Sequence, residues 1–134
     1  MSESIIKLIK LPVISDDCKL VVAENSKLPF DVKRIYYIYG NQNNLPRGFH
    51  AHKENQQILF CLRGSFRMVL ESSDGREECT LSDPSEGIFL DKMAWHEMHD
   101  VDDSTILLVL ASHEFEESDY IRNHNEFLLA VRKR

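Results

Sequence analysis

From Ile5 to Ser112 the apolar positions fall in short runs rich in Val, Ile, Leu, Phe and Tyr, broken by turn residues, with no long stretch of helical period. That pattern predicts an all-β body. The runs place strands at 20–24, 32–39, 48–52, 57–62, 65–71, 77–81, 87–90, 95–99 and 105–111. Gly40 to Asn44 reads as a loop, Arg63-Gly64 as a tight turn and Ser72-Ser73-Asp74-Gly75 as a hairpin ending in Asp-Gly. Short strands joined in this way favour a sandwich, jelly roll or small barrel over a parallel α/β sheet. The tail changes character: Ser118-Asp119 offers an N-cap, and Ile121, Phe127, Leu128 and Val131 can form an apolar stripe. One terminal helix is therefore predicted over 118–132, packed on a β body spanning about 5–112.

Length and charge narrow the setting. The chain has 134 residues, which suits one domain over 1–134. Sixteen basic residues against 22 acidic ones leave a net charge of -6, which argues against a nucleic-acid or anionic membrane partner. Any phosphate group must then be met by a few placed cations. Cys18, Cys61 and Cys79 are too few and too scattered for a disulfide framework or a zinc knuckle, and are expected as free thiols in a reducing cytoplasm. Lys7 and Lys10 interrupt the N-terminal apolar stretch, and the run Ile106 to Ala111 is far too short to cross a bilayer, so a soluble cytoplasmic protein is expected.

The segment Pro46-Arg47-Gly48-Phe49-His50-Ala51-His52-Lys53 carries the strongest chemical signal. On a strand, residues two apart face the same side, so the spacing aims His50 and His52 into one space, and Gly48 lets backbone or ligand come close. Two convergent imidazoles are either metal ligands or acid/base groups. In Trp95-His96-Glu97-Met98-His99, alternation puts His96 and Met98 on one face and Glu97 and His99 on the other, so His96 can join the pair. His99 is read as structural, His113 and His124 as surface groups, and Trp95 as barrel packing.

These motifs resemble those of the cupins, double-stranded β-helix jelly rolls. The first cupin motif is matched by His50-Ala51-His52 and by Gly64, but Gln57 stands where a glutamate is usual; the second ends in His96, with Asp91 and Met93 at its usual Pro and Gly positions. A carboxamide gives a divalent ion a neutral oxygen in place of a charged one, so this exchange weakens a metal site, although three histidines can still hold zinc. Over Leu20 to Arg122 the likeness is more specific. Pro29-Phe30 with Lys33 to Ile38, the Pro46 to Lys53 block, Trp95 to Asp100, Val109 to Ser112 and Asp119 to Arg122 are similar to the dTDP-4-keto-6-deoxyglucose 3,4-ketoisomerases, metal-free cupins of deoxysugar biosynthesis.

That resemblance implies a nucleotide-sugar substrate, no cofactor and a homodimer. A proton leaves C3, an enediol or enediolate forms, and a proton returns to C4; a neutral imidazole suits this work. The resemblance assigns His52 as base and His50 as its partner, and Tyr37, on one strand face with Ile35 and Tyr39, as the group handling protons on the sugar oxygens. Arg47 and His96 are expected to meet the substrate, and one of Tyr36, Tyr39 or Phe49 to stack on thymine. Relatives carry a phosphate-binding arginine where this chain has Asp17, so either Lys19 or Arg47 supplies that charge or the nucleotide is held more weakly than in relatives. Phe49 resembles the galacto-forming relatives. Competing readings are a 3,5-epimerase, a metal-dependent cupin using His50, His52 and His96, and a sugar-binding module without turnover.

Overall fold

The computed structural model describes residues 4–132. Its strands are Leu8–Lys10 (β1), Val13–Ser15 (β2), Lys19–Val21 (β3), Arg34–Ile38 (β4), Arg47–His52 (β5), Gln57–Arg63 (β6), Phe66–Ser72 (β7), Gly75–Leu81 (β8), Glu86–Leu90 (β9), Trp95–His99 (β10), Ile106–Ala111 (β11) and Tyr120–Ile121 (β12), followed by the helix His124–Arg132 (α1). Two five-stranded antiparallel sheets, ordered β1-β9-β6-β11-β4 and β12-β5-β10-β7-β8, form the all-β, jelly-roll body of a cupin, and β2-β3 make a separate ribbon.

Strand alternation sorts the side chains. Leu59, Cys61, Phe66, Met68, Leu70, Ile88, Met98, Leu107 and Val109 meet between the sheets, with Tyr36 and Ile38 against them. On the outer face of the first sheet, Ile58, Phe60 and Leu110 are covered by Ile9, Leu11, Leu28, Phe30 and Val32 from the N-terminal segments. The outer face of the second sheet is covered by α1, whose Phe127 and Val131 pack on Ala51, Trp95 and Ile121.

The tail corrects the predicted helix over 118–132. Glu117–Asp119 is a single 3-10 turn, and Tyr120 and Ile121 pair with His52 and Ala51 as an added strand. The helix starts at His124 because Asn123 caps it, accepting the Glu126 N–H on Oδ1 at 3.0 Å and the Phe127 N–H on its carbonyl at 3.0 Å. β1 and β2 were not predicted; each spans three residues, too few for a periodic signal.

At the His50 end of the barrel, β5 and β10 are joined through a bulge between His96 and Glu97, with Phe49 in the left-handed region at φ 60°. Gly48, at φ +92°, lies so close to β10 that a Cβ there would sit 2.9 Å from the His96 carbonyl oxygen. The bulge sets His50 directly opposite His96.

Candidate active site

His50, His52 and His96 point into the barrel from β5 and β10. Ring centroids are 5.0 Å apart for His50 and His52, 4.5 Å for His50 and His96, and 6.1 Å for His52 and His96. Each ring has its Nδ1 beside an oxygen acceptor: the Gly48 carbonyl at 3.1 Å for His50, Asp119 Oδ2 at 3.0 Å for His52, and the Ala94 carbonyl at 3.3 Å for His96. An acceptor at Nδ1 places the proton there and leaves the lone pair on Nε2. All three histidines thus present Nε2 as a base or ligand atom.

Their surroundings keep them neutral. Burial, then the neighbouring His52, pushes His50 down to about 4. Burial also lowers His52, against the opposing pull of Asp119, and it lowers His96 strongly, with His50 and His52 adding to the effect. Asp119 is itself fixed by the backbone N–H groups of Glu54 at 2.7 Å and Asn55 at 3.3 Å. His52 and His96 are 4% and 2% exposed, whereas His50 is half-buried. Among the described residues, His52 Nε2 is the buried side-chain polar atom with no hydrogen-bond partner.

The first sheet brings Tyr36 and Gln57. Gln57 is buried and donates from Nε2 to the Tyr36 phenol oxygen at 2.9 Å. Burial, with Tyr120 adding to it, holds the Tyr36 phenol above its ordinary pKa, and the Gln57 hydrogen bond and the Arg34 and Arg47 charges offset only part of that rise. The carboxamide therefore serves as a donor here, a task a carboxylate could not perform. Tyr120 from β12 packs on His50 at 4.9 Å and on His52 at 4.5 Å. At the rim, the Arg122 guanidinium lies 4.1 Å over Tyr120, and that of Arg34 lies 4.5 Å from Tyr36 and 5.5 Å from Phe115.

Over residues 4–132 the chain matches the family described as FdtA: WxcM-like, C-terminal. It is 41% identical over 129 residues to TDP-4-oxo-6-deoxy-alpha-D-glucose-3,4-oxoisomerase of Aneurinibacillus thermoaerophilus, covering 95% of this chain and 93% of that protein. The chain belongs to the FdtA family. Among solved structures, a histidine-to-asparagine variant of the 3,4-ketoisomerase QdtA from Thermoanaerobacterium thermosaccharolyticum, in complex with TDP-4-keto-6-deoxyglucose, superposes at a TM-score of 0.91 with 38% identity, covering 96% of this chain and 95% of that one. A 3,4-ketoisomerase from Helicobacter canadensis superposes equally, at 0.91 and 38%, covering 97% and 99%.

Within this FdtA-family chain the expected residues divide. His50, His52 and His96 converge, and Arg47 lies at the head of β5, close enough to influence Tyr36. Tyr37 does not join them: its ring is 64% exposed and stacks on Tyr39 outside the sheet, because the inward position on β4 belongs to Tyr36. Lys19 is also elsewhere, on the exposed ribbon near Asp83. Phe49 faces out against His99, and Tyr39 is exposed, so of the three expected stacking residues only Tyr36 faces the interior. Arg34, Asp119, Tyr120 and Arg122 were missed as site residues, although all four stand in the sequence blocks that carried the resemblance. His99 and His124 bond outward to Glu97 and Glu71.

Proposed function

We propose that this chain is a sugar-nucleotide 3,4-ketoisomerase that converts dTDP-4-keto-6-deoxy-D-glucose to a dTDP-3-keto-6-deoxyhexose by proton transfer through histidine. The observation that carries this reading is the set of three neutral imidazoles presenting Nε2 beside an inward tyrosine hydrogen-bonded to a carboxamide. The named activity of the 41%-identical relative supports it.

His50 is assigned as the proton carrier in place of His52, because it is the least buried of the three and packs against both others. Its neutral Nε2 takes the proton from C3, leaving an enediolate with charge on the C4 oxygen. Tyr36 donates its phenol proton to that oxygen and recovers the proton of the C3 hydroxyl, with the Gln57 N–H stabilising the phenol oxygen while it carries charge. Burial disfavours the imidazolium, so the proton passes readily to C4 and the ketone is left at C3. His52, held by Asp119, and His96 complete the wall against which the sugar ring lies. Arg34 and Arg47, together with Arg122, which lies over Tyr120 in an ion pair with Glu117, are the cations we assign to the diphosphate of an otherwise acidic chain. We retain the galacto configuration at C4 for the product, on the resemblance of the Phe49 motif.

The same reading includes a homodimer in a reducing compartment. Ile35 and Tyr37 on the edge strand β4, Tyr39 just after it, and Val13, Ile14, Leu20 and Val21 on the ribbon are exposed apolar residues that suit a second copy. Cys18, Cys61 and Cys79 are free thiols, and no helix among the described residues is long and apolar enough to cross a membrane. Incubation of the purified protein with dTDP-4-keto-6-deoxyglucose, followed by NMR, tests the activity and reads the C4 configuration. A 3-keto product is expected, and its absence overturns the assignment.

A further inference from the structure

We propose that Glu117 holds the Arg122 guanidinium as a stand-in for the substrate diphosphate in the empty enzyme, and that the nucleotide binds by displacing it. The two residues close the ends of one short segment, Glu117 opening the 3-10 turn and Arg122 following β12. Arg122 donates from Nε to Glu117 Oε1 at 3.0 Å and from Nη2 to Glu117 Oε2 at 3.1 Å, so each carboxylate oxygen takes one prong of the guanidinium fork. A phosphoryl group offers two oxygens to the same prongs. Among the described residues the arginines paired with carboxylates are Arg67, Arg76 and Arg122. Of the three arginines assigned to the diphosphate, Arg122 is therefore the one whose fork is already filled.

The pair is built to part. Its side chains are 52% and 63% exposed, and among the described residues the Glu117 carboxylate accepts from Arg122 alone. Asp119, two residues along, is the contrast, held by His52 and by the backbone N–H groups of Glu54 and Asn55. Glu117 can thus swing into solvent without leaving a buried group unpaired, at the small cost of one exposed ion pair. The guanidinium does not swing with it, because it lies 4.1 Å over the Tyr120 ring, which packs in turn on His50 and His52. The fork stays aimed when its carboxylate leaves. His50 and Glu117 feel each other's charge, so the filled edge of the fork is within electrostatic reach of the site. Glu117 accordingly sets the nucleotide affinity below what Arg122 alone would give. The exchange rests on the assignment of Arg122 to the diphosphate made above.

Calorimetric titration with dTDP reads the exchange without turnover, in variants checked for folding by circular dichroism. Salt of about 0.15 M screens simple repulsion between exposed charges. Glu117→Gln is expected to bind dTDP about two- to fivefold more tightly, the range set by release from one exposed ion pair. Arg122→Gln is expected to bind it about three- to tenfold more weakly, through loss of charged hydrogen bonds. In the Arg122→Gln background the further change Glu117→Gln shifts binding by less than about 1.5-fold, because the carboxylate then has no fork to fill. Glu116→Gln removes a neighbouring carboxylate that accepts from Ser118, and leaves dTDP binding unchanged. Weaker binding in Arg122→Gln with no gain in Glu117→Gln overturns the exchange alone, as does an equal gain from Glu117→Gln in both backgrounds. Unchanged binding in Arg122→Gln overturns the assignment of Arg122 to the diphosphate and the exchange with it.

Discussion

On β4 the Tyr36 phenol accepts a hydrogen bond from Gln57 inside the barrel, while the Tyr37 ring lies outside on Tyr39. If Tyr36 moves the proton between the two sugar oxygens, Tyr36→Phe lowers kcat by about 10²–10⁴-fold with the fold intact, the range for loss of a general acid–base group. Tyr37→Phe leaves kcat within about twofold. Initial rates of 3-keto product formation for the two variants separate the assignments, and equal losses from both would refute the inward role. The pair also shows where the sequence stops being informative. Residue type cannot rank two adjacent tyrosines, and a slip of one position turns every side chain of a strand to the other face. His50 and His52 were legible because their spacing is local. The partner of His52 was not, because Asp119 is 67 residues away and reaches it only through the tail that follows β11.

The elements differ in how much of their geometry is local. β4 to β11 were predicted with boundaries shifted by a few residues at most, since alternation between a packed inner face and an outer face marks each of them. The bulge at β5 is a pairing property, visible beforehand only as a glycine beside the histidines. Gly48→Ala tests its role: the added Cβ meets the His96 carbonyl oxygen at 2.9 Å, and φ +92° strains any side chain. A loss of about 1–3 kcal/mol in stability is expected by urea unfolding. Activity should fall further than the folded fraction, because His50 and His96 lose their register. The C-terminal helix gives the complementary case. Phe127 is fully buried against Trp95 and Ala51, beneath the strand that carries His50 and His52. Phe127→Ala should cost about 3–5 kcal/mol in the same measurement. Its apolar stripe was legible; its start was not, because Asn123 captures the cap once Tyr120 and Ile121 have joined β5.

Over the whole molecule, the active site is a cluster of neutral bases closed into a barrel, and this ties stability to pH. Burial holds His50, His52 and His96 below their ordinary range, with His50 at about 4. In the unfolded chain each returns to about 6.5, so the unfolded state binds more protons wherever the pH lies between the two values. A group with a depressed native pKa contributes stability that is fully present above its unfolded pKa and is lost as the pH falls toward its native value. The urea midpoint is therefore expected to hold level above about pH 7 and to decline from about pH 6.5 toward pH 4. His50 alone accounts for about 3 kcal/mol of that decline, an upper figure because the ring is only half-buried. Asp119 sharpens the test, since its bond to His52 favours the imidazolium and so moderates that residue's share. Asp119→Asn removes this moderation, so the decline becomes steeper in the variant even though the variant is less stable throughout. A midpoint that stays flat from pH 7 to 5 would show that the three imidazoles take up protons as readily in the folded barrel as in the unfolded chain, and the depression of His50 by burial would fall with it.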